Sequence, residues 1–292
     1  MGWLQEIAHR DPVTEHQRIY RLSVGFEFPW DYQRALEFAL FRTYCVPSIS
    51  ALLSATGEFR ERPQQRYDDT ALLMAEIAEH GCDSERGREA LRVVNRAHGR
   101  YAISNADMLY VLSTFVLDPI DWIDAFGWRR LHPNEREAAF HHFRAVGVRM
   151  GIRDVPASLA EFRRFKEDFE REHFRCCATN REIGRYTLDL YRSWFPRPLR
   201  PLVELAVRAL LDERMVTAFG FAPAPWPARR AARAAVRARA RLVGRLPARR
   251  TSALARASGN RTYPGYPRGY RPADLGSPGS AAIDARWLRK AR

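Results

Sequence analysis

From residue 63 to residue 151 the apolar side chains return every three or four positions, the repeat of helices that bury one face. No convincing run of two-residue alternation and no Asn-Gly hairpin appears anywhere in the chain, so the fold class it can reach is all-α and multi-helical. The pattern predicts helices over about residues 31–42, 64–80, 86–101, 105–117, 134–150, 159–175, 180–194, 199–211 and 228–246. Several ends carry their own reasons. Gly81 and Gly151 follow helices as stops that tolerate positive φ, Pro133 suits a first helical turn, and Ser104 with Asp107 and Ser158 with Glu161 have capping-box spacing.

At 292 residues the chain can bury a full core without cross-links. Its four cysteines show no CxxC spacing, and bridging the adjacent Cys176 and Cys177 would strain the backbone, which indicates a reducing compartment. The formal charge of +14 is a C-terminal property. Fourteen arginines and no acidic residue lie between Arg214 and Arg271, which leaves residues 1–213 near neutral. The organisation expected is a single helical domain over 1–221, a basic Arg/Ala-rich helix over 222–250, and a Gly/Pro-rich flexible tail over 251–292.

Two polar intrusions mark a candidate site. On the 86–101 helix, Leu91, Val94, His98 and Tyr101 share one face, so His98 points inward. It is either a core histidine with satisfied nitrogens or an axial metal ligand. On the preceding helix Arg66, Thr70, Leu73 and Ile77 share a face, and an inward guanidinium requires an anionic partner. Glu76, Asp107 or Asp118 could supply it, and so could a bound anion. The remaining histidines lack HExxH spacing, and no phosphate-binding Gly-rich loop or nucleophile elbow is present.

The order TGEFRERPQQRYDDT, VNRAHGRY, ISNADMLYVLSTFVLDPIDW and then the run from Glu137 to Pro156 resembles the MpaB/rubber oxygenase (latex-clearing-protein) family over about residues 52–195. The resemblance implies an all-helical, globin-like core with one haem b and the cleavage of an isoprenoid C=C bond by dioxygen. His98 matches the family's proximal haem ligand, and Arg66 and Thr70 match its R-x-x-x-T pair, with Arg66 facing a haem propionate or bound oxygen. His142 matches a recurrent histidine without assigned chemistry. Asp69 stands where rubber oxygenases can place a distal lysine, and Glu58 is the nearest candidate for their basic glutamate, at an offset that does not fit cleanly. An apolar substrate would be lined by Leu73, Met74, Leu109, Leu112 and Phe115, which serve equally well as core.

The N-terminus lacks the order of a signal peptide and no apolar run approaches the roughly 20 residues of a membrane span, so a cytoplasmic protein is expected. The arginines from Arg229 to Arg250 form a stripe suited to peripheral attachment to an anionic membrane. An alternative class is a helical nucleic-acid- or lipid-binding protein without catalysis. The near-neutral body, and the lack of a helix-turn-helix, argue against nucleic acid.

Overall fold

The computed structural model describes residues 2–254, 266 and 268–276. Among these residues the chain is helical, without strands. The helices are α1 (Trp3–Ala8), α2 (His16–Leu22), α3 (Pro29–Thr43), α4 (Pro47–Thr56), α5 (Glu58–Glu61), α6 (Pro63–His80) and α7 (Glu85–Gly99). They continue as α8 (Asn105–Phe126), α9 (Pro133–Arg149), α10 (Leu159–His173), α11 (Ala178–Ser193), α12 (Arg200–Leu210), α13 (Glu213–Phe219) and α14 (Trp226–Val243). A π-helical turn, Ser23–Glu27, joins α2 to α3.

The architecture follows from where the least polar helix can lie. α8 is apolar nearly all round, from Leu109 to Phe126, so it needs neighbours on every side. It packs along α3 and is flanked by α9 and α10. Its start is set by Ser104, whose hydroxyl accepts from the Asp107 amide at 3.0 Å. Sequence reasoning ended this helix at residue 117, yet it runs on through Pro119 to Phe126. A proline removes one backbone bond, but Ile120, Trp122, Ile123 and Phe126 beyond it are all buried, and that apolar burial outweighs the loss. The other eight expected helices are present with ends shifted by at most a few residues, and Gly81 and Gly151 stop theirs at φ 79° and 72°. α1, α2, α4, α5 and α13 were not anticipated. They are 4 to 10 residues long, too short for a period to declare itself.

The main core gathers Tyr20, Tyr32, Leu72, Leu73, Ile77, Leu91, Leu112, Phe115, Phe140 and their neighbours from α2, α3 and α6–α9. A second, more aromatic cluster of Phe41, Tyr44, Phe59, Ile183, Leu190, Tyr191 and Phe219 joins α3 to α11 and α13. A buried ion cluster ties these layers together: Arg42 on α3 meets Asp118 of α8 at 3.2 Å, Glu170 of α10 at 3.1 Å, and Asp212 before α13.

Part of the segment read as a flexible tail is folded. Leu275 is buried against the main core, Tyr270 donates to Glu76 of α6 at 3.0 Å, and Tyr266 donates to Asp69 of the same helix. Residues 255–265, 267 and 277–292, which belong to the same expectation, lie outside the described residues. No single helix among the described residues is long and apolar enough to cross a membrane.

Candidate functional site

Pro63 opens α6 without an amide to satisfy, and its fixed φ sets the direction in which Arg66 and Thr70 leave the first two turns. The next helix, α7, is started by Ser84, which accepts from the Gly87 amide at 2.9 Å, and it carries His98 in its last turn. As the spacing required, Leu73 and Ile77 on α6 and Leu91 and Val94 on α7 are buried, which turns Arg66, Thr70 and His98 towards the same region. Tyr101 falls just past the end of α7.

His98 is half-buried as a whole, yet its Nδ1 is enclosed and has no hydrogen-bond partner. Burial, and secondarily the Arg66 charge nearby, lower its pKa to about 4, so at neutral pH the ring is uncharged and keeps a lone pair. A satisfied core histidine would have both nitrogens engaged; this one does not. Arg66 donates through Nη1 to the Thr70 hydroxyl and lies 5.9 Å from the centre of the Phe59 ring. Among the described residues it has no carboxylate partner. The three acids that could have held it are engaged elsewhere: Glu76 pairs with Arg86 at 2.6 Å, Asp107 accepts from Ser48 at 3.0 Å, and Asp118 serves Arg42 and Lys166.

Beside Arg66 and Thr70 a small cavity of about 30 Å³, partly open to solvent, is walled by Leu40, Tyr44, Phe59, Leu190 and Tyr191. The five residues expected to line an apolar channel, Leu73, Met74, Leu109, Leu112 and Phe115, are packed into the main core instead. The cavity also holds a carboxylate that sequence reasoning missed. Glu37 of α3 is buried, accepts from the Tyr67 hydroxyl, and is 2.5 Å from Arg34. Burial pushes its pKa up to about 7, against the opposing pull of Arg34 and Tyr67. It can therefore exchange a proton at neutral pH. Its signal in the sequence was a lone acid in the middle of the apolar stretch ALEFALF.

The other anticipated residues behave differently. Glu58 is buried at the start of α5 with both oxygens held by Arg62, at 3.0 and 2.5 Å. Asp69 is buried and receives the Tyr266 hydroxyl, so this position is capped by the C-terminal segment. His142 stacks on Tyr20 with ring centres 4.1 Å apart, on the α2–α9 side of the core and outside the Arg66 cavity. Burial takes its pKa down to about 3.

The donor types present are ones that a haem group could use. His98 offers a single neutral nitrogen ligand, and among the described residues no cluster of three or more His, Cys, Asp or Glu could hold a metal ion by itself. Haem supplies its other ligands from the porphyrin and brings carboxylates that a half-buried, unpaired guanidinium such as Arg66 can take.

Comparison with known proteins gives the family. Residues 38–245, well over half of the chain, match the family described as "ER-bound oxygenase mpaB/B'/Rubber oxygenase, catalytic domain". This chain belongs to the MpaB/rubber oxygenase family. The match extends the resemblance at both ends, taking in the last part of α3 from Phe38 and the whole of the basic helix α14. The MpaB-family chain is 30% identical over 216 residues to the ER-bound oxygenase mpaB of Penicillium roqueforti, which covers 68% of the chain and 72% of that protein. It is 30% identical over 230 residues to the ER-bound oxygenase mpaB' of Penicillium brevicompactum, covering 72% of the chain and 54% of the relative. A third, the mpaB of Penicillium brevicompactum, is 36% identical over 140 residues, covering 46% of the chain and 36% of that protein. The MpaB-family chain thus spans about half or less of two of these relatives. Membership places it among oxygenases, enzymes of the oxidoreductase class.

Proposed function

We propose that the chain is a haem-b-dependent oxygenase that cleaves a C=C bond of an isoprenoid or similar long apolar alkene. The observation that carries the reading is the pairing of an enclosed, neutral, unpartnered His98 nitrogen with the carboxylate-free guanidinium of Arg66, in a member of an oxygenase family. Bound there, haem b supplies the redox-active iron at which dioxygen and alkene react. The overall change balances without an external reductant, since one alkene and one dioxygen yield two carbonyl groups.

The chain's own residues set the conditions. His98 holds the group through its neutral imidazole, and the low pKa keeps that ring unprotonated across the physiological range. Arg66, fixed by Thr70, offers a cation to a carboxylate of the bound group or to an oxygen that gains charge. Leu40, Tyr44, Phe59, Leu190 and Tyr191 give the small cavity beside Arg66 an apolar wall that discourages water. Glu37 holds or releases a proton at its carboxylate, poised near neutrality by burial.

The test is product analysis. The haem-loaded protein, given a polyisoprenoid and isotopically labelled dioxygen, is expected to release carbonyl fragments that both carry the label. Fragments that lack the label when the carbonyls are trapped as they form, or intact substrate under a range of apolar alkenes, would overturn the reading.

A further inference from the structure

α14 carries a surface feature that oxygenase chemistry leaves unused. Trp226, Arg230, Arg233, Arg237 and Arg241 follow one another at three- and four-residue steps, with Arg229 beside them, so they share one face, about 22 Å long at 1.5 Å per residue. They border a solvent-open groove of about 480 Å³. A row of like charges normally gathers carboxylates, and this one does not. Among the described residues only Arg229 meets an acid, Glu213 at 3.4 Å, whereas Arg230, Arg233, Arg237 and Arg241 have none. Arg239 pairs with the buried Asp31 at 3.0 Å from a different face of the helix and belongs to the fold.

The row is also held in place. Arg233 and Arg237 lie 5.9 and 5.8 Å from the centre of the Phe126 ring, Arg237 donates to the Ala125 carbonyl, and Arg230 lies 5.7 Å from Trp226. These contacts cost the guanidinium groups little of their donor capacity, so a preformed cationic strip faces solvent.

We infer that this strip docks the protein on an anionic lipid bilayer, its arginines meeting headgroup phosphates and carboxylates while Trp226 enters the interfacial layer. Charge complementarity supplies the partner's sign, and the tryptophan within the strip supplies its kind. Trp226 borders the same groove as the arginines and is 68% exposed. An exposed tryptophan set in a cationic face suits a lipid interface. Nucleic-acid grooves are contacted by Ser, Thr, Asn, Gln and Tyr alongside Arg, and residues 226–250 contain none of them.

Each basic residue near an anionic surface contributes about a fivefold gain in partitioning, so three together contribute roughly a hundredfold. The experiment is co-sedimentation of the full chain with vesicles of phosphatidylcholine, with and without phosphatidylserine. Binding is expected only with phosphatidylserine, falling as salt rises. Reversing Arg230, Arg233 and Arg237 to Glu should lower it at least about a hundredfold, with helical circular dichroism unchanged. The milder Trp226→Ala should lower it several-fold, and Arg171→Glu on the exposed side of α10 should leave it unaltered. Equal binding to both vesicles, no binding to either, or indifference to the triple reversal would overturn the inference. So would tighter binding to duplex or single-stranded oligonucleotides than to the charged vesicles at the same ionic strength.

Discussion

Replacing His142 by Phe should remove much of the protein's sensitivity to mild acid. His142 is 1% exposed, stacks on Tyr20 with an interplanar angle of 15°, and leaves its Nδ1 without a partner. Burial first, and then the neighbouring His16, take its pKa from 6.5 to about 3. The neutral ring is therefore the form that the folded state accommodates. Below pH 6.5 the unfolded chain binds a proton that the folded chain refuses, so this residue's share of stability is complete above that pH. It is lost as the pH falls, until the folded state also protonates near 3. The slope is about 1.4 kcal/mol per pH unit, which gives a loss of roughly 3 kcal/mol between pH 6.5 and 4.5. Phe keeps the stacking surface and cannot titrate. Urea unfolding of the wild type and His142→Phe at pH 7 and pH 4.5 measures the difference directly. The variant should lose roughly 3 kcal/mol less on acidification, and equal losses in the two proteins would refute the reasoning.

Two further outcomes are expected. Gly184→Ala should destabilise the fold by about 1–3 kcal/mol in thermal or urea unfolding, because the new methyl would sit 2.7 Å from Cδ1 of Phe219 and 2.9 Å from Cζ of Phe221, neither of which can swing aside. Turnover of the haem-loaded enzyme should show an inflection near pH 7, where Glu37 changes charge, and Glu37→Gln should flatten it; persistence of the same inflection in the variant would remove Glu37 from the proton inventory.

The helical class and the inward faces of α6 and α7 were legible because their periodicity spans several turns, with Leu73, Ile77, Leu91 and Val94 repeating in step with the helix. The same spacing brought Arg66, Thr70 and His98 to one region before any tertiary information. Short-range pattern could not show which acids would be taken by other cations. Glu76, Asp107 and Asp118 were all open partners for Arg66 until Arg86, Ser48, Arg42 and Lys166 claimed them across the fold. Glu37 escaped notice for a related reason, since its cavity is assembled from α3, α6 and α11, which are distant in the chain. Pro119 misled because a proline is a local penalty, and the burial that offsets it is a tertiary gain. The tail was read from composition, yet one leucine and two tyrosines, Leu275, Tyr266 and Tyr270, tie residues 266 and 268–276 to α6 and α7.

The central claim is that His98 is a haem ligand, and the absorption spectrum of the protein purified from haem-supplemented cells tests it most directly. The account predicts a Soret band corresponding to about one haem b per chain, absent from a folded His98→Ala variant. A folded wild-type protein that stays colourless when offered haemin, or a band that survives unchanged in His98→Ala, would contradict it.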